Sequence, residues 1–292
     1  MQINSLIKSS RPKTLLVGIS PVILGSAYSY HKSSDTFSYL IFILTLICVT
    51  LLQTGTNVVN EYFDFVSGVD QKDRAGPKRT LLSGELQPQT LKAFYLACFI
   101  TAFAFGIYLM KIGGIPIILI GVLSIIVAYC YTGGPYPLSH HCLGELTAFI
   151  FFGPVAVCGT AILQKVVVNN ELILLSCIPG FISSALMSLN NLRDIRTDAK
   201  TNKKTIAIYL GQDKARFFTV TLGILPTVTS ILVFGFTNKT TVIALLPPFL
   251  FLKLWLLILR TKNMIELNLG IASFGKYNVV YCLTCIIIMF LR

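Results

Sequence analysis

The sequence predicts an all-α integral membrane protein with nine transmembrane helices, arranged as two pseudo-repeated four-helix halves and one further helix. Of its 292 residues, 54% are hydrophobic and only 12% are charged, which is too apolar for an ordinary soluble domain and excludes intrinsic disorder. Apolar runs of about 20 residues, the length of one helical crossing, recur along the chain with short polar segments between them. The basic residues alternate between these segments, as the loops of a membrane protein require.

The apolar runs give the predicted helices in chain order and place them in a single domain covering residues 1–292. Each run is long enough to cross the hydrocarbon core. The predicted spans are 14–30, 38–59, 91–110, 114–131, 145–163, 171–189, 216–236, 240–259 and 275–291.

The distribution of positive charge predicts the orientation. Eighteen of the 24 Lys and Arg residues lie on the N-terminal side of this arrangement, which is therefore expected to be cytoplasmic, with the C-terminus on the opposite side. The first run is interpreted as a helix rather than a cleaved signal peptide, because residues 25–28 make a poor cleavage site. The loops also account for the net charge of +12, so nucleic acid is not an expected partner.

Half of the acidic residues fall in two cytoplasmic-side segments, each of which follows an apolar helix. In both segments an Asn precedes an Asp by four residues, which places the two side chains on one helical face. The correspondence suggests a weak internal repeat whose two halves meet at a shared site. The first set is Asn60, Glu61, Asp64, Asp70 and Asp73, and the second is Asn190, Asn191, Asp194 and Asp198.

The composition of these clusters predicts a site for Mg²⁺ and a diphosphate. Like charges on one helix face repel, so the carboxylates need a cation, and Mg²⁺ is commonly held by one or two carboxylates together with substrate phosphates. Basic side chains suited to phosphate lie beside both clusters. They are Arg74, Lys78 and Arg79 in the first cluster, and Arg193, Lys200, Lys203 and Lys204 in the second.

The chemistry that fits is ionisation of an amphipathic diphosphate, with Mg²⁺ stabilising the departing pyrophosphate and apolar helices enclosing a polyprenyl tail. A cation or metabolite transporter is the alternative from another class, since intramembrane carboxylates can form an ion path. Its acids would lie near the bilayer midplane, whereas these lie at the cytoplasmic ends of helices, which disfavours transport.

At these residues the chain resembles the UbiA superfamily of intramembrane prenyltransferases, which carry two Asp-rich motifs on nine transmembrane helices. Further segments are similar to the menaquinone branch of the superfamily. The segments that carry the general resemblance are RPKTL (11–15), PVILG (21–25), RTLLSGEL (79–86) and 194–211, and those of the menaquinone branch are YTGGPYPL (131–138), LGEL (143–146) and FFGPVAVCGT (151–160).

The resemblance implies Mg²⁺-dependent transfer of a polyprenyl group from polyprenyl diphosphate to 1,4-dihydroxy-2-naphthoate, with loss of CO₂, in the plasma (inner) membrane of a bacterium. An isomeric dihydroxynaphthoate or another aromatic acceptor stays open. By motif position the expected metal ligands are Asp64, Asp70, Asp194 and Asp198, with Asn60 beside them. The expected diphosphate ligands are Arg74, Lys78, Arg79, Asn190, Asn191 and Lys203.

Three residues are candidates for the acceptor side of the reaction. Tyr131 can stabilise the allylic cation through its ring face or position the acceptor, although an interfacial aromatic anchor is an equal interpretation. Glu145 can contact an acceptor hydroxyl, or it can stabilise the N-terminus of its own helix through the helix dipole. His140 can act as a base toward a phenol, or it can simply lie at the membrane interface. The sequence departs from the family at Glu61, which stands where an Asp is usual.

Overall fold

The computed structural model describes residues 2–70, 75–201, 203–235 and 238–292, of which 238–241 are described by backbone alone. The all-α prediction is confirmed, since the only β-type pairing in these ranges is an isolated bridge between His141 and Lys204. The helices are α1 (Gln2–Ser9), α2 (Pro12–Lys32), α3 (Tyr39–Val66), α4 (Pro88–Cys130), α5 (Gly144–Ile150), α6 (Ala156–Leu163), α7 (Asn170–Arg193), α8 (Ile195–Asp198), α9 (Ile206–Leu210), α10 (Gln212–Phe234), α11 (Asn238–Leu250), α12 (Leu252–Arg260) and α13 (Leu267–Leu291).

Local sequence signals account for where several helices begin. The side chains of Ser38 and Asn169 accept hydrogen bonds from the first turns of α3 and α7, which satisfies backbone N–H groups that have no partner within the helix. Pro12 and Pro88 open α2 and α4, where the missing N–H of proline costs nothing. The polar segments between the apolar runs are therefore also the points at which the helices start.

Helix α4 is a hairpin of two helical segments, 88–113 and 115–130, that turns at Gly114. Gly114 has φ 66° and ψ −155°, a backbone conformation that is essentially restricted to glycine. Rings at both ends of α4 contact the C-terminal end of α3, with centroids 5.8 Å apart for Tyr62 and Tyr95 and 5.4 Å apart for Phe63 and Tyr129. A straight helix of 43 residues would separate its ends by about 65 Å, so the chain must reverse.

Among the described residues, six helical segments are long and apolar enough to cross a membrane, or seven if the pair α11 and α12, bent by 48°, forms one span. Each predicted span overlaps one or more of the described helices, and the reversal at Gly114 divides α4 where the sequence predicted two spans. The 21-residue α2 has a lower mean hydropathy than these segments and is not among them. The protein is an integral membrane protein, and the count of nine crossings stays a prediction.

Helix α7 is the most buried of the candidate spans and packs against α5, α10 and α13. Two glycines let its backbone approach the segment that joins α5 to α6, because a Cβ on Gly153 would lie 2.8 Å from the Ser176 carbonyl oxygen and 3.0 Å from the Gly180 Cα. This contact positions α7 against the segment between α5 and α6. The C-terminal end of α7 lies opposite the C-terminal end of α3.

Candidate functional site

The C-terminal ends of α3 and α7 face each other across one polar cavity, which brings both acidic clusters together. Its walls come from α3, from the segment around Arg79, and from α7, α8 and the loop after α8. The lining residues are Asn60, Asp64, Val69, Asp70, Arg79, Asn190, Asn191, Asp194, Thr197, Asp198 and Lys203.

A larger chamber of about 270 Å³, mainly apolar, adjoins the polar cavity. It runs between α3, both segments of α4 and the α5–α6 span. Ile117 and Leu163 are among its lining residues, as are Tyr131 and Met187. Four residues line both spaces, which therefore adjoin each other. They are Asn60, Asn190, Asn191 and Lys203.

Asn60 is held by three neighbours at this junction. Its Oδ1 accepts hydrogen bonds from the Nη2 atoms of Arg11, at 2.5 Å, and Arg79, at 2.8 Å, while its Nδ2 donates to the Thr132 Oγ1 at 3.0 Å. Arg11 adopts a left-handed backbone conformation, with φ 51°, immediately before α2. The side-chain amide is thus oriented by partners from three separate segments of the chain.

Arg79 is the central cation of the first cluster. Its side chain is only 5% exposed, its Nε lies 3.0 Å from the Asp70 Oδ2, and its Nη2 lies 3.2 Å from the Asp64 Oδ2. The Glu61 Oε2 lies 4.0 Å from its Nη1. One buried guanidinium therefore stands among three carboxylates, an arrangement in which each ion compensates the burial of the others.

Glu61 anchors the loop that carries Arg79. Its Oε1 accepts hydrogen bonds from the backbone N–H and the hydroxyl of Thr80, at 2.5 and 2.6 Å, and from the Leu81 N–H at 3.2 Å. This contact explains the departure at position 61, because the longer glutamate arm spans from α3 to the loop.

The second cluster contains two ion pairs of different kinds. The carboxylate of Asp194 accepts from the Arg193 Nε at 2.8 Å and from its Nη2 at 2.5 Å, and the Arg193 Nη1 donates to the Asn268 Oδ1 at 3.0 Å. Arg193, a phosphate-binding candidate in the sequence, is thus engaged by Asp194 and α13. The Asp198 Oδ2 lies 3.3 Å from the Lys203 Nζ.

Burial and crowding of negative charge shape the titration of the second pair. Burial raises the pKa of Asp198; Lys203 opposes this shift and Asp194 adds to it. Burial works against the charge on Lys203, but the carboxylates of Asp198, Asp64 and Asp194 outweigh burial and raise its pKa. The cavity therefore holds Lys203 as a cation.

The acceptor candidates surround the junction. The Asn191 Nδ2 donates to the Glu145 Oε1 at 2.9 Å, and the Tyr131 hydroxyl donates to the Met187 sulfur at 3.0 Å. Tyr131 and Asn191 line the chamber, whereas Glu145, 4% exposed, lines neither space and reaches them through Asn191. Burial, aided by Lys203 and His141, lowers the pKa of His140 to about 4, so its ring is neutral at pH 7.

One predicted phosphate ligand stands apart from the cavity, and the position of another is not described. Lys78 is exposed and lines neither space, and Arg74 lies outside the described residues. Two further residues, Arg11 and Thr132, take part in the site without having been assigned to it from the sequence. Glu61 belongs to the predicted first cluster, but it lines neither space and binds the loop at Thr80 instead. Arg11 was visible as part of the first-helix motif, but its contact with Asn60 depends on a turn that no local pattern indicates.

The donor set fits Mg²⁺ that arrives with phosphate ligands. Within the described ranges no group of three His, Cys, Asp or Glu side chains is close enough to hold a metal by itself. Each cluster offers one or two buried carboxylates and adjacent amide oxygens, the hard ligands that Mg²⁺ combines with water and substrate phosphates. The site would complete a metal shell only together with an oxygen-rich ligand.

The comparison that decides the family is a match to the UbiA prenyltransferase family over residues 18–274, most of the chain. The chain belongs to the UbiA prenyltransferase family. It is accordingly a prenyltransferase, and the expectation drawn from its Asp-rich segments is confirmed at this level.

Curated relatives of this UbiA family chain include enzymes named 1,4-dihydroxy-2-naphthoate octaprenyltransferase. Those of Haemophilus influenzae and Escherichia coli are each 33% identical to it, over 72% of this chain and 70% of theirs. The UbiA prenyltransferase domain-containing protein 1 of Xenopus tropicalis is 30% identical over 69% of this chain and 58% of that protein.

Solved structures share the fold at low sequence identity. A UbiA homolog from Archaeoglobus fulgidus bound to GPP and Mg²⁺ superposes with a TM-score of 0.66 at 15% identity, covering 98% of this chain and 99% of that one. The apo structure of a UbiA homolog from Aeropyrum pernix K1 gives 0.68 at 18% identity, covering 92% and 98%. The helical arrangement described above is therefore the UbiA fold.

Proposed function

We propose that this protein transfers a polyprenyl group from polyprenyl diphosphate to 1,4-dihydroxy-2-naphthoate, releasing diphosphate and CO₂ and giving demethylmenaquinone in its reduced, quinol form. The observation that carries the proposal is that a cavity lined by acidic and basic side chains adjoins an apolar chamber at four shared residues, Asn60, Asn190, Asn191 and Lys203. This shape suits a molecule with a charged head and a hydrocarbon tail. The names of the curated relatives support the naphthoate acceptor.

The head of the donor binds in the polar cavity. Asp64, Asp70, Asp194 and Asp198 would hold Mg²⁺ there, and a bound metal would supply positive charge to stabilise the leaving diphosphate. Arg79 and Lys203 contact phosphate oxygens, and Asn190 and Asn191 orient the ester oxygen at the junction. The tail occupies the chamber, whose apolar walls exclude water from the prenyl carbon.

The acceptor ring binds at the junction, beside Tyr131 and Asn191. The bond between the prenyl C1 and the diphosphate oxygen breaks with its electron pair on oxygen, and the ring carbon that bears the carboxylate forms the new bond to C1. The bond to the carboxylate then breaks, CO₂ leaves, and its electron pair restores the aromatic ring. The ring face of Tyr131 stabilises the positive charge at C1, and Glu145 keeps the Asn191 carbonyl oxygen turned away from itself.

Turnover by detergent-solubilised protein tests the proposal. We expect the protein, given a prenyl diphosphate, 1,4-dihydroxy-2-naphthoate and Mg²⁺, to form the prenylated product and CO₂, and to stop when a chelator is added. Binding of the prenyl diphosphate without product would overturn the acceptor assignment and lead to trials of isomeric dihydroxynaphthoates. Binding of neither substrate would favour the transporter.

The proposal includes the orientation in the membrane. In this proposal the N-terminus and the polar cavity lie on the cytoplasmic side of a bacterial plasma (inner) membrane and the C-terminus lies on the other side, and the excess of Lys and Arg in the loops on the N-terminal side supports it. A water-soluble diphosphate head would then meet its site from the cytoplasm while its tail stays in lipid.

A further inference from the structure

Each acidic cluster holds a cation that the chain itself supplies. In the first, the Arg79 guanidinium lies 3.0 Å from Asp70 and 3.2 Å from Asp64 and also donates to Asn60. In the second, the Lys203 ammonium lies 3.3 Å from Asp198. These carboxylates are the ones assigned above to the metal, so a metal ion and a side-chain cation compete for the same oxygens.

We propose that Arg79 and Lys203 make the site specific for the metal–diphosphate complex over the free metal ion. The proposal rests on the donor half of the proposed function and adds a role that the reaction alone does not require. In it, the two side chains are selectivity determinants as well as phosphate ligands.

The argument begins with how firmly Arg79 is held. Its side chain is 5% exposed, and its loop is pinned where Thr80 and Leu81 donate to the Glu61 carboxylate. A bare divalent ion that approaches Asp64 and Asp70 therefore meets a guanidinium that has no route to solvent. Repulsion between the two cations acts at short range in a poorly solvated cavity, where it is only weakly screened.

A diphosphate reverses this balance. Its oxygens give the Arg79 fork and the Lys203 ammonium new anionic partners, and guanidinium–phosphate pairs are among the strongest charge-assisted hydrogen bonds. The carboxylate oxygens that these cations release can then bind the metal, which also shares the phosphate oxygens. Metal and diphosphate are thus expected to bind together and to raise each other's affinity.

Substitution of Arg79 should change the affinities for the free metal ion and for the prenyl thiodiphosphate in opposite directions. We expect Arg79→Gln to tighten binding of Mn²⁺ alone by about tenfold, because the competing charge is gone, and to weaken a prenyl thiodiphosphate by about tenfold or more, because its partner is lost. Lys203→Gln should shift both affinities in the same directions. A purely structural role for either residue would weaken both ligands together.

The measurement is Mn²⁺ binding to the purified full chain in detergent, by electron paramagnetic resonance, with and without the thiodiphosphate. Arg79→Lys keeps the positive charge but loses the bidentate geometry of the guanidinium. It should therefore bind Mn²⁺ alone as the parent protein does and bind the thiodiphosphate more weakly. Lys92→Gln removes an exposed positive charge from α4, outside both spaces, and should change neither affinity. Thermal unfolding of each variant verifies that it is folded.

Two outcomes would overturn the proposal: unchanged or weaker Mn²⁺ binding in folded Arg79→Gln, or tight Mn²⁺ binding by the parent protein without thiodiphosphate. Neither outcome depends on product formation. If the two affinities shift in opposite directions but no prenylated naphthoate forms, this inference holds and the proposed acceptor is wrong. If the parent protein forms the product and Arg79→Gln leaves Mn²⁺ binding unchanged, the proposed function holds and this inference is wrong.

Discussion

Glu61 shows how one buried carboxylate controls the position of a charge elsewhere in the chain. It makes three hydrogen bonds to Thr80 and Leu81 with a single oxygen. A buried backbone N–H that loses its partner costs about 1–3 kcal/mol, so the loop has a strong preference for this position. Arg79 reaches Asp64 and Asp70 because its neighbours in sequence are fixed in this way.

Replacement of Glu61 therefore tests whether its role is to position Arg79. Glu61→Leu should destabilise the protein and raise the KM for prenyl diphosphate by about tenfold or more, since the loop N–H groups lose their acceptor. Glu61→Gln keeps an acceptor oxygen and should stay within about threefold of the parent KM. Steady-state kinetics at saturating acceptor measure both, and equal defects in the two variants would mean that the charge of Glu61, not its hydrogen bonds, matters.

Loss of one carboxylate from either cluster should abolish turnover. We expect Asp64→Asn and Asp194→Asn each to lower kcat by a factor on the order of 10²–10³ or more while membrane insertion is retained, because the metal loses an anionic ligand. Asp194→Asn should also lower the melting temperature, since it leaves Arg193, 4% exposed, without its counter-ion. Turnover close to that of the parent in either variant would mean that its cluster is structural.

At the scale of single residues, the sequence indicated the acidic clusters but not their partners. Asn60, Asp64, Asn190 and Asp194 could be found because helical spacing is a local property. Arg11, Thr132 and the loop contact of Glu61 could not, since these roles depend on contacts between segments that are 19 or more residues apart. Long-range contacts are fixed by packing and leave no local pattern.

Among the secondary-structure elements, the crossing of α7 with the segment between α5 and α6 sets the geometry of the site. Backbones come so close at Gly153 and Gly180 that no side chain fits between them. The same crossing leads α7 to the polar cavity and places Met187 and Asn191 beside Tyr131.

A methyl group at this crossing should be costly. Gly153→Ala is expected to destabilise the protein by about 1–3 kcal/mol, because the new Cβ would lie 2.8 Å from a backbone oxygen that cannot move aside. Gly159→Ala on α6 is the matched control, since its nearest neighbour is the Ile120 side chain at 3.5 Å, and it should stay within about 0.5 kcal/mol. Thermal unfolding in detergent compares them; equal stabilities would refute the tight crossing.

Hydropathy predicted the long elements well and the short ones poorly. The spans 91–110 and 114–131 fall on either side of Gly114, where the structure turns. Helix α1, with eight residues, was not predicted because it is too short to give an apolar run. It is held in place by Ser5 and Lys8, which both donate to Glu85, and a salt bridge of this kind has no signature in sequence.

For the whole molecule, the orientation in the membrane is the expectation that the fold leaves to experiment. The distribution of positive charge predicts that Tyr209 lies on the cytoplasmic side and Val167 on the other. Both residues are more than four-fifths exposed. In a cysteine-free background, Val167→Cys should react with a membrane-impermeant maleimide in intact right-side-out vesicles, and Tyr209→Cys only after permeabilisation. The opposite pattern would invert the assigned orientation.

The chamber has a length as well as a volume. Tyr131 and Ile117 line it on the same helical segment, 14 positions apart, which corresponds to about 21 Å of helix, against a hydrocarbon core of about 30 Å. Each isoprene unit of a tail that enters it adds van der Waals contacts with the apolar walls. We therefore expect donor affinity to rise with each added isoprene unit until the tail reaches Ile117 and Leu163, and then to level off. The depth of the chamber would then determine which prenyl chain length binds best.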